Sequence, residues 1–309
     1  MIAVRFVLYM VLMLLFGLPL FLLHALSPAE RRLPQIPSFD LTLPVLAIGG
    51  LVVSAFGFLL LTAEMAGVGM ASLNRDTIDA VMASPVGTAW LVRMVALLAA
   101  LALTIGFRRS RRAIGPALVS AAAALALAIL AWAGHGASGE GRAGDVQVIA
   151  DVVHLLAAGT WIGALAAFVV LLFQRSMAIP DVRLNVAANA LRRFSVTGTL
   201  AVAAIVLTGT VNSYMLVGVT QAWRMPDTPY GQVLLAKLAL FVLMLGLAAA
   251  NRFRLSPALS TAITGRDLQT SLRALRISVS IEAGTALCVL GFVAWLGTLE
   301  PPIAASVIQ

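Results

Sequence analysis

Only one cysteine, Cys288, occurs in 309 residues. No intramolecular disulfide can form, and no Cys-x-x-Cys metal or redox motif exists. Charge is also scarce. Asp, Glu, Lys and Arg make up 11% of the chain, where a soluble globular domain carries about 25%. Hydrophobic residues fill 61%. A soluble core of this size cannot hide that much apolar surface, whereas a bilayer can cover it. No nucleotide-binding motif is found. The stretch 134–144 is Gly-rich, but no strand precedes it and no Gly-Lys-Ser/Thr follows, so it is not a phosphate cradle. Transport driven by ATP hydrolysis in this chain alone is therefore excluded. No catalytic signature or internal repeat is present, and the sequence reads as a non-enzyme.

What is present is a series of long apolar runs. A bilayer core of about 30 Å takes roughly 20 residues of helix. Eight runs fit, at about 6–24, 43–64, 90–107, 113–134, 151–173, 194–217, 231–250 and 277–298. The fold class expected is all-α, a polytopic transmembrane bundle of about eight helices forming one domain over 1–309. The breaks between runs carry Pro, Gly and charge, as at Ser27-Pro28 and Pro226-Asp227-Thr228-Pro229. The net charge is +8, but the basic residues sit in short loops. They read as topology signals and lipid-headgroup contacts, not as a nucleic-acid surface. Loops after runs 1, 3, 5 and 7 hold 15 of the 21 Lys and Arg. That asymmetry puts these loops in the cytoplasm and both termini on the periplasmic side. Removing residues 5–25 as a cleaved leader would invert every later helix, so the first run is read as a true span.

Three histidines are the first candidates for chemistry. His24 ends run 1 on the cytoplasmic side. His135 ends run 4 and His154 opens run 5, both on the outer side and joined by a short loop. Imidazole binds copper, zinc and haem iron. The plainer alternative is a pair of interfacial histidines bonded to carbonyls. Glu64 ends run 2 beside Met65 and Met70. Thioether suits Cu(I), and carboxylate with imidazole suits Cu(II); equally, an interfacial Glu and packing methionines would read the same way. Asp151 precedes His154 by three residues and shares its helix face, either orienting the imidazole or serving as an interfacial charge. Trp161 lies two turns further on, as core or as pocket wall. Lys237 and Glu282 are intramembrane charges, which are costly and tend to be functional. Ser278, at i−4, is placed to hydrogen-bond Glu282. Gly159 and Gly163 form a small-xxx-small pair suited to close helix packing. Cys288 reads as a buried thiol and not as a ligand.

Several segments together resemble a known family. These are Arg193-Phe194-Ser195, Thr208-Gly209-Thr210-Val211-Asn212-Ser213, Thr228-Pro229-Tyr230-Gly231-Gln232 running on to Lys237, and Asn251-Arg252-Phe253-Arg254. Upstream, Gly134-His135-Gly136, His154 to Gly163 and the Glu64 segment agree. The chain resembles the CopD copper-resistance membrane proteins over most of 40–300, most strongly over 193–257. The resemblance implies a polytopic inner-membrane protein of copper uptake or tolerance, with a small periplasmic copper carrier as partner. The leading expectation is copper import or handling through an outer site of His135, His154, Glu64, Met65 and Met70. Asp151, Trp161, Lys237 and Glu282 would serve as supporting or pathway residues. The alternative is a haem-b electron-transfer protein with His135 and His154 as axial ligands and Arg93 and Lys237 near the propionates. The topology is directly testable. Reporters fused after Arg109 and after Arg266 should read as cytoplasmic, and tags within 137–144 should be labelled on intact cells; labelling only after the membrane is breached would reverse the orientation.

Overall fold

The computed structural model describes residues 1–33, 36, 39–108, 113–133, 141–173, 180–217, 222–258 and 268–299. Among these, nine α-helices and no strand are found. They are α1 (Ile2–His24), α2 (Thr42–Ala66), α3 (Arg75–Met82), α4 (Pro85–Gly106), α5 (Ile114–Ala128), α6 (Gly141–Phe173), α7 (Pro180–Val217), α8 (Pro229–Ala250) and α9 (Leu268–Leu296). Eight helical segments are long and apolar enough to span a membrane, α5 being continued by a 3₁₀ turn, Ile129–Ala133. They coincide with the eight apolar runs. The expected all-α architecture is therefore observed.

Three helices begin nine or more residues before their apolar runs. α6 begins at Gly141, not 151, α7 at Pro180, not 194, and α9 at Leu268, not 277. Backbone hydrogen bonding is local and indifferent to hydropathy, so a helix continues past the segment that lipid requires. At 33 residues, α6 is about 50 Å long at 1.5 Å per residue. The ninth helix, α3, is short and carries charge. Asn74 caps it by accepting from the Thr77 amide at 2.8 Å. Local signals set other ends too. Ser84 and Thr228 cap α4 and α8, each followed by Pro at the first position, where its missing N–H costs nothing. Gly67, at φ 66°, closes α2 in the left-handed conformation that suits glycine.

The surface of the bundle is apolar where lipid would lie. Val45, Val52 and Phe56 of α2, Leu200 and Leu207 of α7 and Val242 of α8 are exposed, a pattern that water would penalise and hydrocarbon does not. Cys288 belongs to this surface. It is exposed, and not buried as its apolar run suggested. Hydropathy cannot tell a helix face turned to lipid from one turned to protein.

The core is built around α1, which packs against α2, α5, α6 and α9. Its tightest crossing is with α6. A Cβ on Gly17 would lie 2.3 Å from the Gly159 carbonyl oxygen, and one on Gly163 would lie 2.3 Å from the Gly17 Cα. The small-xxx-small pair of α6 therefore meets backbone, and no side chain fits between. Ser120 adds a bond from α5 to the Phe16 carbonyl at 3.0 Å. On the face that carries most of the arginines, Ser27 and Glu30 exchange reciprocal capping bonds. Glu30 also pairs with Arg193 of α7. His24 ends α1 at this face, its Nδ1 bonded 2.7 Å from the Leu20 carbonyl, apart from the other histidine described. Gly163→Ala should lower stability in detergent by about 1–3 kcal/mol through overpacking. Gly246→Ala, where a Cβ meets nothing within 4 Å, should not. Equal melting shifts for the two would show that the glycine crossing is not what holds α6.

Candidate functional site

α6 carries polar side chains at two levels. The first is formed with α7. Asp151 and His154 lie at i and i+3 on α6, and Thr208 and Asn212 at i and i+4 on α7, so each pair shares a helix face. The helices run antiparallel, and the faces meet in register. Asn212 Nδ2 donates to Asp151 Oδ1 at 2.6 Å, and His154 Nδ1 lies 2.9 Å from Thr208 Oγ1. Thr208 gives its own proton to the Ala204 carbonyl at 2.6 Å. Its oxygen can therefore only accept from the imidazole. Nδ1 is thus the donor, and a neutral ring held this way keeps the Nε2 lone pair free. Gly209 borders the ring; a Cβ there would sit 3.6 Å from His154 Cε1. Lys237 of α8 is within electrostatic range of both Asp151 and His154, and Tyr230, two turns earlier on α8, within range of Asp151.

The second level is about 10 Å further along α6, seven residues at 1.5 Å each. Trp161 Nε1 donates to Glu282 Oε1 at 2.9 Å, and Asn251 Nδ2 donates to Oε2 at 2.8 Å. Glu282 sits in the middle of α9 and is 4% exposed. Ser278 is not its partner. That hydroxyl is buried with no hydrogen bond among the described residues, because the carboxylate turns toward α6 and α8 and away from its own helix. Asn251 opens a π-helical turn, Asn251–Leu255. Such wide turns are frequent at functional sites. A cavity of about 240 Å³ lies against this carboxylate, walled by Trp161, Thr199, Asn251, Arg252 and Phe253. A second cavity of about 520 Å³, toward the Arg-rich face, shares Ser195, Arg252 and Phe253 with it and has Asn189 and Arg192 at its walls.

The expected site residues thus separate. Asp151 and His154 lie together, with Lys237 in electrostatic range of both but in no ion pair with Asp151 among the described residues. Trp161 and Glu282 form the other level, so Trp161 serves Glu282 and not His154. Asp151 is held by Asn212, and the imidazole by Thr208. Glu64, Met65 and Met70 are exposed at the end of α2 and in the turn that follows. No hydrogen bond or ion pair links them to His154 among the described residues. His135 lies outside the described residues. Among those described, no group of three or more His, Cys, Asp or Glu side chains is placed to hold a metal. Thr208, Asn212 and Asn251 were missed as site residues. The signal was polarity inside an apolar run for Thr208 and Asn212, one turn apart, and at the very end of a run for Asn251.

Two family models match the chain, and Asp151, His154 and Trp161 fall between them. Residues 1–145 match the family model of the copper resistance protein D-like N-terminal domain. Residues 188–296 match that of copper resistance protein D. The chain is 42% identical to copper resistance protein D of Pseudomonas syringae pv. tomato over 308 residues, 98% of this chain and 97% of that one. It is 27% identical to the inner membrane protein YebZ of Escherichia coli (strain K12), over 97% and 98% of the two chains. With the copper transport protein CutJ of Bacillus subtilis (strain 168) it shares 36% identity over 121 residues, 39% of this chain and 21% of that one. No solved structure matches the chain.

The second level makes a clear demand on substitution. Glu282→Gln offers one acceptor oxygen where Trp161 and Asn251 need two. It should cost about 1–3 kcal/mol for the donor left unpaired, read as a lower melting temperature in detergent. Trp161→Phe removes one donor and should relieve most of that cost in the double variant. Strictly additive losses would mean that the indole and the carboxylate are not coupled.

Proposed function

The chain belongs to the copper resistance protein D family, and on that premise we propose that it handles copper at the bacterial inner membrane, importing the ion from the periplasmic side. The observation that carries this reading is the His154 imidazole, held by Thr208 so that Nε2 is presented as a ligand nitrogen. A histidine fixed through its other nitrogen is the usual arrangement at metal sites. In this proposal copper is cargo, delivered by a small periplasmic carrier. His154 and His135 bind it at the outer level, and Glu64, Met65 and Met70 capture it at the surface. Asp151 offsets the charge of Lys237, so the outer level is close to neutral before loading.

The route inward follows α6 to Glu282, then the two adjoining cavities toward the Arg-rich face. Trp161 and Asn251 hold the carboxylate in place along this route. The membrane potential, negative inside, favours inward movement by about 2.3 kcal/mol per charge per 100 mV. No nucleotide is required.

The test is metal analysis of detergent-purified protein, read with its visible spectrum. Wild type should bind copper and show no Soret band. His154→Ala and His135→Ala should each lose most of the copper, Glu64→Ala should bind it more weakly, and His24→Ala should be unchanged. Thr208→Val should lower affinity about 10–100-fold, the usual effect of losing a ligand's hydrogen-bond partner. A Soret band lost in His154→Ala would favour haem instead. Copper binding that survives His154→Ala would remove the basis of the site. In cells, Glu282→Gln should reduce copper accumulation more than it reduces the amount of folded protein.

A further inference from the structure

Arg93 of α4 is a charge in the membrane that the copper route does not use. It is 7% exposed, and its Nε donates to Ser54 Oγ of α2 at 2.7 Å. Arg93 lies eight residues from the Arg-poor end of α4, about 12 Å. Ser54 lies twelve residues from the corresponding end of α2, about 18 Å. In a hydrocarbon core of about 30 Å, this bond pins the guanidinium near mid-depth and prevents it from snorkelling to the surface. Trp90 donates to the Ser54 carbonyl at 3.1 Å and stacks on Phe58, so Ser54 is itself held.

No carboxylate pairs with Arg93 among the described residues. The ionisable group nearest it in effect is Tyr9. The guanidinium borders a cavity of about 100 Å³ between α1, α2 and α4, walled also by Arg5, Tyr9, Trp90, Phe58 and Leu61. Several waters or one oxyanion fit such a volume. Arg5, one turn before Tyr9 on α1, stands nearer the Arg-poor face, bonded to the Gly297 carbonyl. Two guanidiniums and a phenol thus line one cavity, and no carboxylate is among the described residues that wall it. A buried cation without a partner is strongly unfavourable, and a guanidinium fork matches phosphate oxygens.

We propose that Arg93, Arg5 and Tyr9 form a binding site for a phosphate group, reached from the outer face between α1, α2 and α4. Arg93 takes the phosphate at depth, Arg5 guards the mouth, and the apolar walls suit the body of an amphiphile. The site is separate from the copper ligands and does not depend on them. A phospholipid headgroup and free phosphate share this chemistry, and the experiment tells them apart.

Purified protein in a nonionic detergent is titrated with short-chain phosphatidylglycerol, with inorganic phosphate, and with dioctanoylglycerol as a phosphate-free control. Tryptophan fluorescence is the readout, since Trp90 walls the cavity. A saturable response to either phosphate compound, and not to dioctanoylglycerol, is expected. A response to the lipid alone identifies the leaflet as source, and a response to inorganic phosphate identifies a soluble anion. Arg93→Gln should weaken binding at least tenfold and Arg5→Gln several-fold, while His154→Ala leaves it intact. Should Arg93→Gln fail to fold, Arg5→Gln and Tyr9→Phe carry the test. No saturable response in the wild type, or unchanged binding in the arginine variants that fold, overturns the proposal.

Discussion

α6 touches α1 backbone to backbone where Gly17 meets Gly159 and Gly163, and this contact seats the helix on which both polar levels depend. Lipid is as apolar as leucine, so burial from water cannot drive two spans together; close van der Waals approach can. With three glycines at the crossing the helices approach until main chains meet. The azimuth of α6 is then set. Once the Gly159–Gly163 edge faces α1, Asp151 and His154 can face α7, and Trp161 can face α9. Side-chain mass at the crossing would push α6 away from α1 and shift both levels at once.

The polar groups follow from the same solvent. In hydrocarbon an unpaired donor or acceptor is costly, so each group finds a partner on another helix. Asp151 takes Asn212, His154 takes Thr208, and Glu282 takes Trp161 and Asn251. The orphans are informative against this background. Among the described residues the Asn212 and Asn251 amide oxygens, the Ser278 hydroxyl and His24 Nε2 are buried without hydrogen bonds, and the first three lie at the two levels of α6. Oxygen acceptors left over beside a carboxylate are what a water or a cation would use along a path. Arg93 is the complementary case, a donor with capacity left over, set apart on the other side of α1.

The charges divide the bundle accordingly. Asp151 of α6 and Lys237 of α8 lie within electrostatic range of one another and of the His154 imidazole. Between α1, α2 and α4, Arg5 and Arg93 wall one cavity. Tyr9 of α1 lies within electrostatic range of Asp151 on one side and of Arg5 and Arg93 on the other. One helix thus separates a side where an acid, a base and an imidazole lie within range of one another from a side where two arginines line a cavity that no described carboxylate walls.

Length and hydropathy alone settled that the chain is an all-α bundle of eight spans, because the free energy of placing a residue in lipid is a property of that residue and its local helix. The same locality made His154, Glu282 and Lys237 visible as unusual residues, and made the Gly159–Gly163 pair legible as a packing edge. Partners were not legible. Whether Glu282 meets Ser278 on its own helix or Trp161 and Asn251 on two others depends on the rotation of each helix about its axis. Thr208 and Asn212 likewise became site residues only when α7 met α6 in antiparallel register. Cys288 shows the same limit from the opposite direction. An apolar run does not say which of its faces meets lipid, and only the packing of α9 against its neighbours turned that thiol outward.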